Sequence, residues 1–376
     1  MVGGCAASVV LALIVVAAPA QARVPANFFG TVVDGPALTD PRVDVASELA
    51  LIRSSGLRSI RTSFNWSMMQ PYRRWSEVPP SHRAAYVRDG SVPLLAAQTD
   101  LIVGAAAQRG LTVLPVVLTT PSWAARRPAF ESPPRNRGDY GRFLAQLVRR
   151  YGSDGRFWRE HPELPRRPIR HWQLWNEPHF RSFFNVHPFA RDYARLLRTG
   201  AAAVHRTDPR AKVVLAGLAD RSWDHLDAIY RQPRTRQAFD IVAVHPFTDK
   251  PSNVERGLRR VRRVMRRHGD SRKPLWVTEL SWTSGKGQIN PGAMRGWEQT
   301  EEGQARRLTQ AYTRLGRASV RARLRLQRVY WYTWMSPDGR PTATFDWAGL
   351  RTVDDAGTRS KPAHEALRSM ITTLRR

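Results

Sequence analysis

The chain has 376 residues, with 60 Lys or Arg against 31 Asp or Glu, a net charge of +29 and a single cysteine. One cysteine excludes a disulfide framework, so the fold must be held by its core. The charge alone would point to polyanions, but only five basic residues are lysines (Lys212, Lys250, Lys273, Lys286, Lys361) and the arginines run the length of the chain, which argues for an Arg-rich composition rather than a nucleic-acid footprint.

Ala6 to Ala20 is apolar and uncharged and ends in Ala20-Gln21-Ala22, the pattern of a secretory signal cut after Ala22. The run is shorter than the roughly 20 residues a membrane span needs. The expectation is a signal peptide over 1–22 and one domain over 23–376. The mature chain would then be cysteine-free, secreted or in the cell envelope, not stably inserted in a membrane, and monomeric.

From residue 28 the chain alternates short apolar strands with amphipathic helices, which implies βα units and a parallel sheet. Phe28–Val33 reads as the first strand, then a helix over Val43–Ser55 stopping at Gly56. Ser59–Ser63 is a second strand, followed by a loop rich in Trp, Pro and Arg. A helix over Leu94–Arg109, closed by Gly110, leads to the strand Thr112–Leu118. Tyr140–Tyr151 is a helix, Arg170–Trp175 a strand and Phe189–Thr207 a helix. The strands Lys212–Ala216 and Ile241–His245 precede a basic helix over Val254–His268, whose arginine cluster from Arg259 to Arg267 reads as a solvated face. Leu275–Glu279, a helix over Thr300–Leu315, the strand Gln327–Thr333 and a helix from Lys361-Pro362 to Leu374 complete the chain. Eight strands in such alternation predict a TIM (β/α)8 barrel.

Two predicted strand ends carry carboxyls. One is His171-Trp-Gln-Leu-Trp-Asn-Glu177-Pro and the other Pro274-Leu-Trp-Val-Thr-Glu279-Leu-Ser-Trp. In a TIM barrel the strand C-termini converge on one face, where active sites lie, so closure would bring Glu177 and Glu279 together. Glycosidic cleavage needs such a pair: one carboxylic acid protonates the leaving oxygen while the other carboxylate attacks the anomeric carbon or activates water. Carboxyls about 5–5.5 Å apart favour a covalent intermediate, and about 6.5–9.5 Å leaves room for water. Sequence does not give that distance.

Trp175-Asn176-Glu177-Pro178 and Thr278-Glu279-Leu280-Ser281-Trp282 resemble the two catalytic signatures of the clan A retaining glycoside hydrolases, which include families 5 and 39. The resemblance implies that Glu177 is the acid/base, Glu279 the nucleophile and Asn176 a contact to the sugar 2-hydroxyl. Further segments are closest to family 39. Gly56-Leu-Arg-Ser-Ile-Arg61 resembles its second strand, with Arg61 near the nucleophile, and Ala211-Lys-Val-Val-Leu-Ala-Gly217 its fifth. Val244-His245-Pro-Phe247 resembles the sixth-strand histidine motif, and Trp331 and Trp334 the eighth-strand tryptophans. Many clan members carry a tyrosine that hydrogen-bonds the nucleophile where this chain has Phe247; Tyr330 and Tyr332 are the candidate substitutes.

Of 13 tryptophans, Trp66, Trp123, Trp175, Trp282, Trp331 and Trp334 fall at strand ends or in the loops after them. Indole rings stack on sugar C–H faces, so Trp123, Trp282, Trp331 and Trp334 join Asn176, Arg61 and His245 as candidate substrate contacts. No metal, phosphate or other cofactor motif occurs, so no cofactor and no metal is expected. The reading is a secreted retaining glycosidase that cuts β-glycosidic bonds in a poly- or oligosaccharide, with acidic glycans among the compatible substrates. The rivals are a barrel that binds carbohydrate without cutting it and a basic polyanion-binding protein.

Overall fold

The computed structural model describes residues 23–89, 92–290, 292–339 and 343–376; the expected signal peptide lies outside them. Eight parallel strands form one sheet: β1 Phe29–Val32, β2 Ser59–Asn65, β3 Thr112–Leu118, β4 His171–Leu174, β5 Lys212–Val214, β6 Val242–Val244, β7 Leu275–Leu280 and β8 Leu326–Trp331. Their order is β5-β4-β3-β2-β1-β8-β7-β6. Parallel bridges Val214↔Ile241 and Leu218↔Val244 join β5 to β6 and close the ring. The chain is thus the TIM barrel its strand spacing predicts.

The longer helices around the sheet are α1 Val45–Ser54, α2 Ala97–Gln108, α3 Arg137–Tyr151, α4 Ala190–Thr207, α5 Ser222–Tyr230, α6 Pro251–Arg267, α7 Glu301–Gly316 and α8 Pro362–Arg375. Local chemistry sets their ends. Asp44 caps α1 by accepting from the Ala46 and Ser47 amides, Asn136 caps α3 and Thr300 caps α7. Gly56 and Gly110 follow α1 and α2 with φ of 89° and 68°, backbone that favours glycine. Helix α5 has no counterpart in the sequence reading. Among the described residues no helix is long and apolar enough to cross a membrane.

The barrel has two apolar layers. Val32, Leu114, Val214, Ile241, Ala243, Trp276 and Tyr330 fill its interior. A larger cluster, including Val329, Trp331 and Trp334, packs the outside of the strands against the helices. Along β8 the side chains alternate, as a strand requires: Val329 faces the helices, Tyr330 the interior, Trp331 the helices again.

Two polar devices tie the helix shell. On α6, Arg262 is buried, against the expected solvated face. Its guanidinium donates to the carbonyls of Lys273 and Leu324, and burial pulls its pKa down to about 10. Between α1 and β8, Glu48 accepts from Trp334 Nε1 at 2.6 Å and from Arg351 at 3.2 Å, all three buried. Removing one partner of a buried pair strands the other charge, at about 3–5 kcal/mol. Glu48→Ala is therefore expected to lower unfolding stability by about that amount, measured by denaturant melts. A loss under ~1 kcal/mol, the surface-pair range, would show that the pair contributes little.

Candidate active site

The strand-end carboxyls meet at the C-terminal mouth of the barrel. Glu177 follows β4, where the chain turns sharply: Trp175 has φ 75° and Glu177 φ 38°. Left-handed backbone costs roughly 1–2 kcal/mol per residue. Here it is held by backbone hydrogen bonds, the Trp175 N–H donating to the Val117 carbonyl (2.9 Å) and the Glu177 N–H to the Gly217 carbonyl (3.1 Å). The turn aims Asn176 and Glu177 into the mouth. Glu279 lies within β7. Both glutamates are more than nine-tenths buried.

Arg61 on β2 links them to the barrel. Its NH1 donates to Glu279 Oε1 at 2.7 Å, its NH2 to Asn176 Oδ1 at 2.8 Å and its Nε to Gln173 Oε1 at 2.8 Å. Gln173 is fixed in turn by donating to the Leu215 carbonyl at 3.1 Å. His245, after β6, has no exposed surface. Its Nδ1 lies 2.8 Å from Glu177 Oε1 and 3.5 Å from Glu279 Oε2, and its Nε2 lies 3.0 Å from Thr278 Oγ1. Ligating atoms of Glu177, His245 and Glu279 all fall within 4.8 Å of one another. That spacing suits a metal as well, but the Arg61 guanidinium already holds the cation's place against Glu279.

Burial governs the protonation of the site. It pushes Glu177 up to about 8, against the attraction of Arg61 and helped by the negative charge of Asp220. It also raises Glu279, opposed by the charge of Arg61. It pulls His245 down to about 3, so the imidazole is neutral and its contact to Glu177 is a hydrogen bond rather than an ion pair.

The structure therefore brings Glu177, Glu279, Arg61, Asn176 and His245 to one place. It does not bring the tryptophans there. Trp282, Trp331 and Trp334 have no exposed surface. Their indole N–H groups go to the Asp249 carbonyl, the Ala348 carbonyl and Glu48. They are core residues, which corrects their assignment as sugar contacts. Trp123 is half-buried and donates to the Gln70 carbonyl; it lines a cavity of about 520 Å³ with Arg73, Arg74 and Trp75.

Three residues in the mouth fall outside the two strand-end motifs. Asp34, just past β1, accepts from Thr333 Oγ1 at 2.6 Å, and burial raises its pKa against the pull of Arg61. Tyr332 feels the charges of Asp34, Glu279 and Glu177, with Asp34 the first cause of a hydroxyl pKa well above its ordinary value. Tyr330, by contrast, points into the barrel and meets Ser59 at 2.8 Å, so of the two candidate tyrosines only Tyr332 faces the carboxyls. Asp220 follows β5 and acts on Glu177 through charge alone. Phe247 has a different part: it forms a rim cluster with Trp297, Tyr332 and Phe345, whose centroids lie 4.9–6.4 Å apart. A cavity of about 880 Å³ opens at the other end of the barrel beside His171 and Arg328, away from the carboxyls.

No protein-family model and no curated protein matches the sequence. Solved structures do match its fold. The family 39 glycoside hydrolase from the gut symbiont Bacteroides cellulosilyticus WH2 superposes with a TM-score of 0.65 at 19% identity, covering 94% of this chain and 64% of that one. A monomeric β-xylosidase from Caulobacter crescentus CB15 gives 0.61 at 17%, over 93% and 69%. An exo-β-1,4-mannosidase from Opitutaceae bacterium strain TAV5 gives 0.60 at 14%, over 93% and 60%. The chain thus has the TIM-barrel fold these glycoside hydrolases share. It spans about two thirds or less of the length of the first and third of them.

Carboxylate NMR is expected to find Glu177 titrating near 8, and Asp220→Asn to lower that value by removing a neighbouring negative charge. A Glu177 that titrates in the ordinary range of about 4–5 would contradict the account of its burial.

Proposed function

We propose that the protein is a retaining β-glycosidase in which Glu279 is the nucleophile and Glu177 the acid/base. One observation carries the reading: one oxygen of each carboxyl lies within 4.8 Å of the other, with a neutral histidine between them. Such an approach favours direct attack by one carboxylate over the roughly 6.5–9.5 Å spacing with which an inverting enzyme seats water. The reading includes export, since the 1–22 segment has the sequence pattern of a signal peptide, and it gives a poly- or oligosaccharide outside the cell as the substrate.

The roles follow from the surroundings. Two buried carboxyls this close do not both ionise, so one keeps a proton. Arg61, 2.7 Å from Glu279, favours the charge there. The proton then belongs to Glu177. A chain in which Thr278 donates to His245 Nε2, and Nδ1–H donates to Glu177 Oε1, satisfies every group and leaves Oε2 to carry the acidic proton. In the first step Glu279 attacks the anomeric carbon, the glycosidic C–O bond breaks and Glu177 gives its proton to the departing oxygen. In the second, Glu177 takes a proton from water, the oxygen of that water attacks the anomeric carbon, and Glu279 leaves as a carboxylate. The Asn176 side chain, oriented by Arg61, is placed to meet the sugar beside the nucleophile.

Glu279→Gln, which keeps the side-chain volume and an acceptor for Arg61, is expected to abolish sugar release in a protein that circular dichroism shows to be folded. Glu177→Ala is expected to cost about 10²–10⁴-fold on poor leaving groups, and far less on activated aryl glycosides that need no protonation. Equal losses on both would rule out the acid role. Activity should fall on the alkaline side as Glu177 loses its proton near 8, and on the acid side as Glu279 gains one; a pH–rate profile checks both limbs. Gly217→Ala would set a methyl 1.9 Å from His245 Nε2 and displace the ring. The expected loss in kcat/KM is on the order of a hundredfold, the scale of an ångström-sized misplacement.

A further inference from the structure

Beside the mouth, the loops after β5 and β6 and the start of α6 enclose a second cavity of about 440 Å³. It shares walls with the catalytic centre. Pro246 and Phe247 directly follow His245, and Asp220 is the residue whose charge acts on Glu177. Its outer wall is different in character, made of Trp223 and of Arg256, Gly257 and Arg260 from α6.

Three features set that wall apart from the rest of α6. Arg256 and Arg260 lie one turn apart on the same helix face, a like-charge pair that weakens a helix slightly. Neither forms an ion pair with a carboxylate among the described residues: Arg256 donates to Asn253 Oδ1 and Arg260 sits 4.6 Å over the Trp223 ring. On the same helix, by contrast, Arg259 is paired with Glu255 at 3.0 Å, and Glu255 also binds Arg323 at 2.7 Å. The third feature is Gly257. Glycine inside a helix costs about 1 kcal/mol relative to alanine. Here neither a positive φ nor a close neighbour demands it, because an added Cβ would meet nothing within 4 Å. Its effect is to keep the wall of the cavity open between the two guanidiniums.

We infer that this cavity is a subsite for an anionic sugar unit of the glycan, one bearing a carboxylate or a sulfate, next to the unit that is cleaved. The sugar ring packs against the part of Trp223 that Arg260 leaves uncovered. The anion is met by Arg256 and Arg260, since guanidinium forks fit carboxylate and sulfate oxygens. Asp220, at the catalytic side of the cavity, repels the anion and so orients it toward α6. At the cleaved unit, Asp34, Glu177 and Glu279 surround the single guanidinium of Arg61, which favours a neutral sugar there. The substrate class is therefore a glycan with a neutral residue at the scissile bond and an acidic neighbour.

The inference rests on the glycosidase reading, and the test separates the two. Calorimetry on Glu279→Gln protein would compare paired oligosaccharides with gluco-, xylo- and manno- backbones, each neutral, uronate-bearing or sulfated. At least one acidic member is expected to bind tenfold or more tightly than its neutral partner. Arg256→Gln/Arg260→Gln should erase that preference while leaving neutral binding within about twofold, and Gly257→Phe, which fills the cavity, should erase it while also weakening the neutral member. Whether uronate or sulfate shows the preference identifies the anion. No preference anywhere in the panel, or one that survives both variants, would overturn the subsite. Hydrolysis of neutral aryl β-glycosides by wild-type protein and by the arginine variant reports on the catalytic reading alone. Equal rates are expected, and absence of hydrolysis by the wild type would sink that reading whatever the binding data show.

Discussion

One guanidinium organises the mouth of this barrel. Arg61 reaches from β2 to β4 and β7, giving one donor to each of Gln173, Asn176 and Glu279. A buried arginine needs partners for its donors, and a buried carboxylate needs a charge beside it. Each requirement meets the other here. The consequence is geometric as well as electrostatic, because three strands are fixed relative to one another at the point where Glu177 and Glu279 face each other.

From that constraint the division of labour follows. Both glutamates are pushed toward protonation by burial, but only Glu279 has a guanidinium in contact. His245 adds no charge, since its burial keeps it neutral. It bridges the carboxyls and passes its other nitrogen to Thr278. Gly217 belongs to the same construction: its carbonyl holds the Glu177 amide and its missing side chain leaves room for the imidazole.

Much of this was legible in the chain. The eight strands were readable because parallel strands buried on both faces are short apolar runs between helical periods. Thr112–Leu118 matches residue for residue. Glu177 and Glu279 were legible because each ends such a run, and Arg61, Asn176 and His245 through the motifs around them. The tryptophans misled for a physical reason. A strand alternates its faces, so Trp331, between inward-facing Tyr330 and Tyr332, had to point at the helices. Applying that period to β8 would have separated Tyr332 from Trp331 in advance. Asp34 carried no such signal: a lone acid after a strand is also what a turn or cap looks like, and its place beside Arg61 depends on closure of the ring between β1 and β8. Helix α5 is short, and loop and helix are not separable by periodicity over nine residues.

The account stands on Glu279 acting as a nucleophile within reach of the same anomeric carbon that Glu177 serves. The most direct measurement is to incubate the protein with an activated 2-fluoro-β-glycoside, which forms the glycosyl–enzyme ester but is slow to release it, and to locate the added mass by peptide sequencing. The account predicts a single sugar on Glu279. Label on Glu177 or Asp34, or turnover of the unfluorinated glycoside with inverted product and no trapped ester, would contradict it.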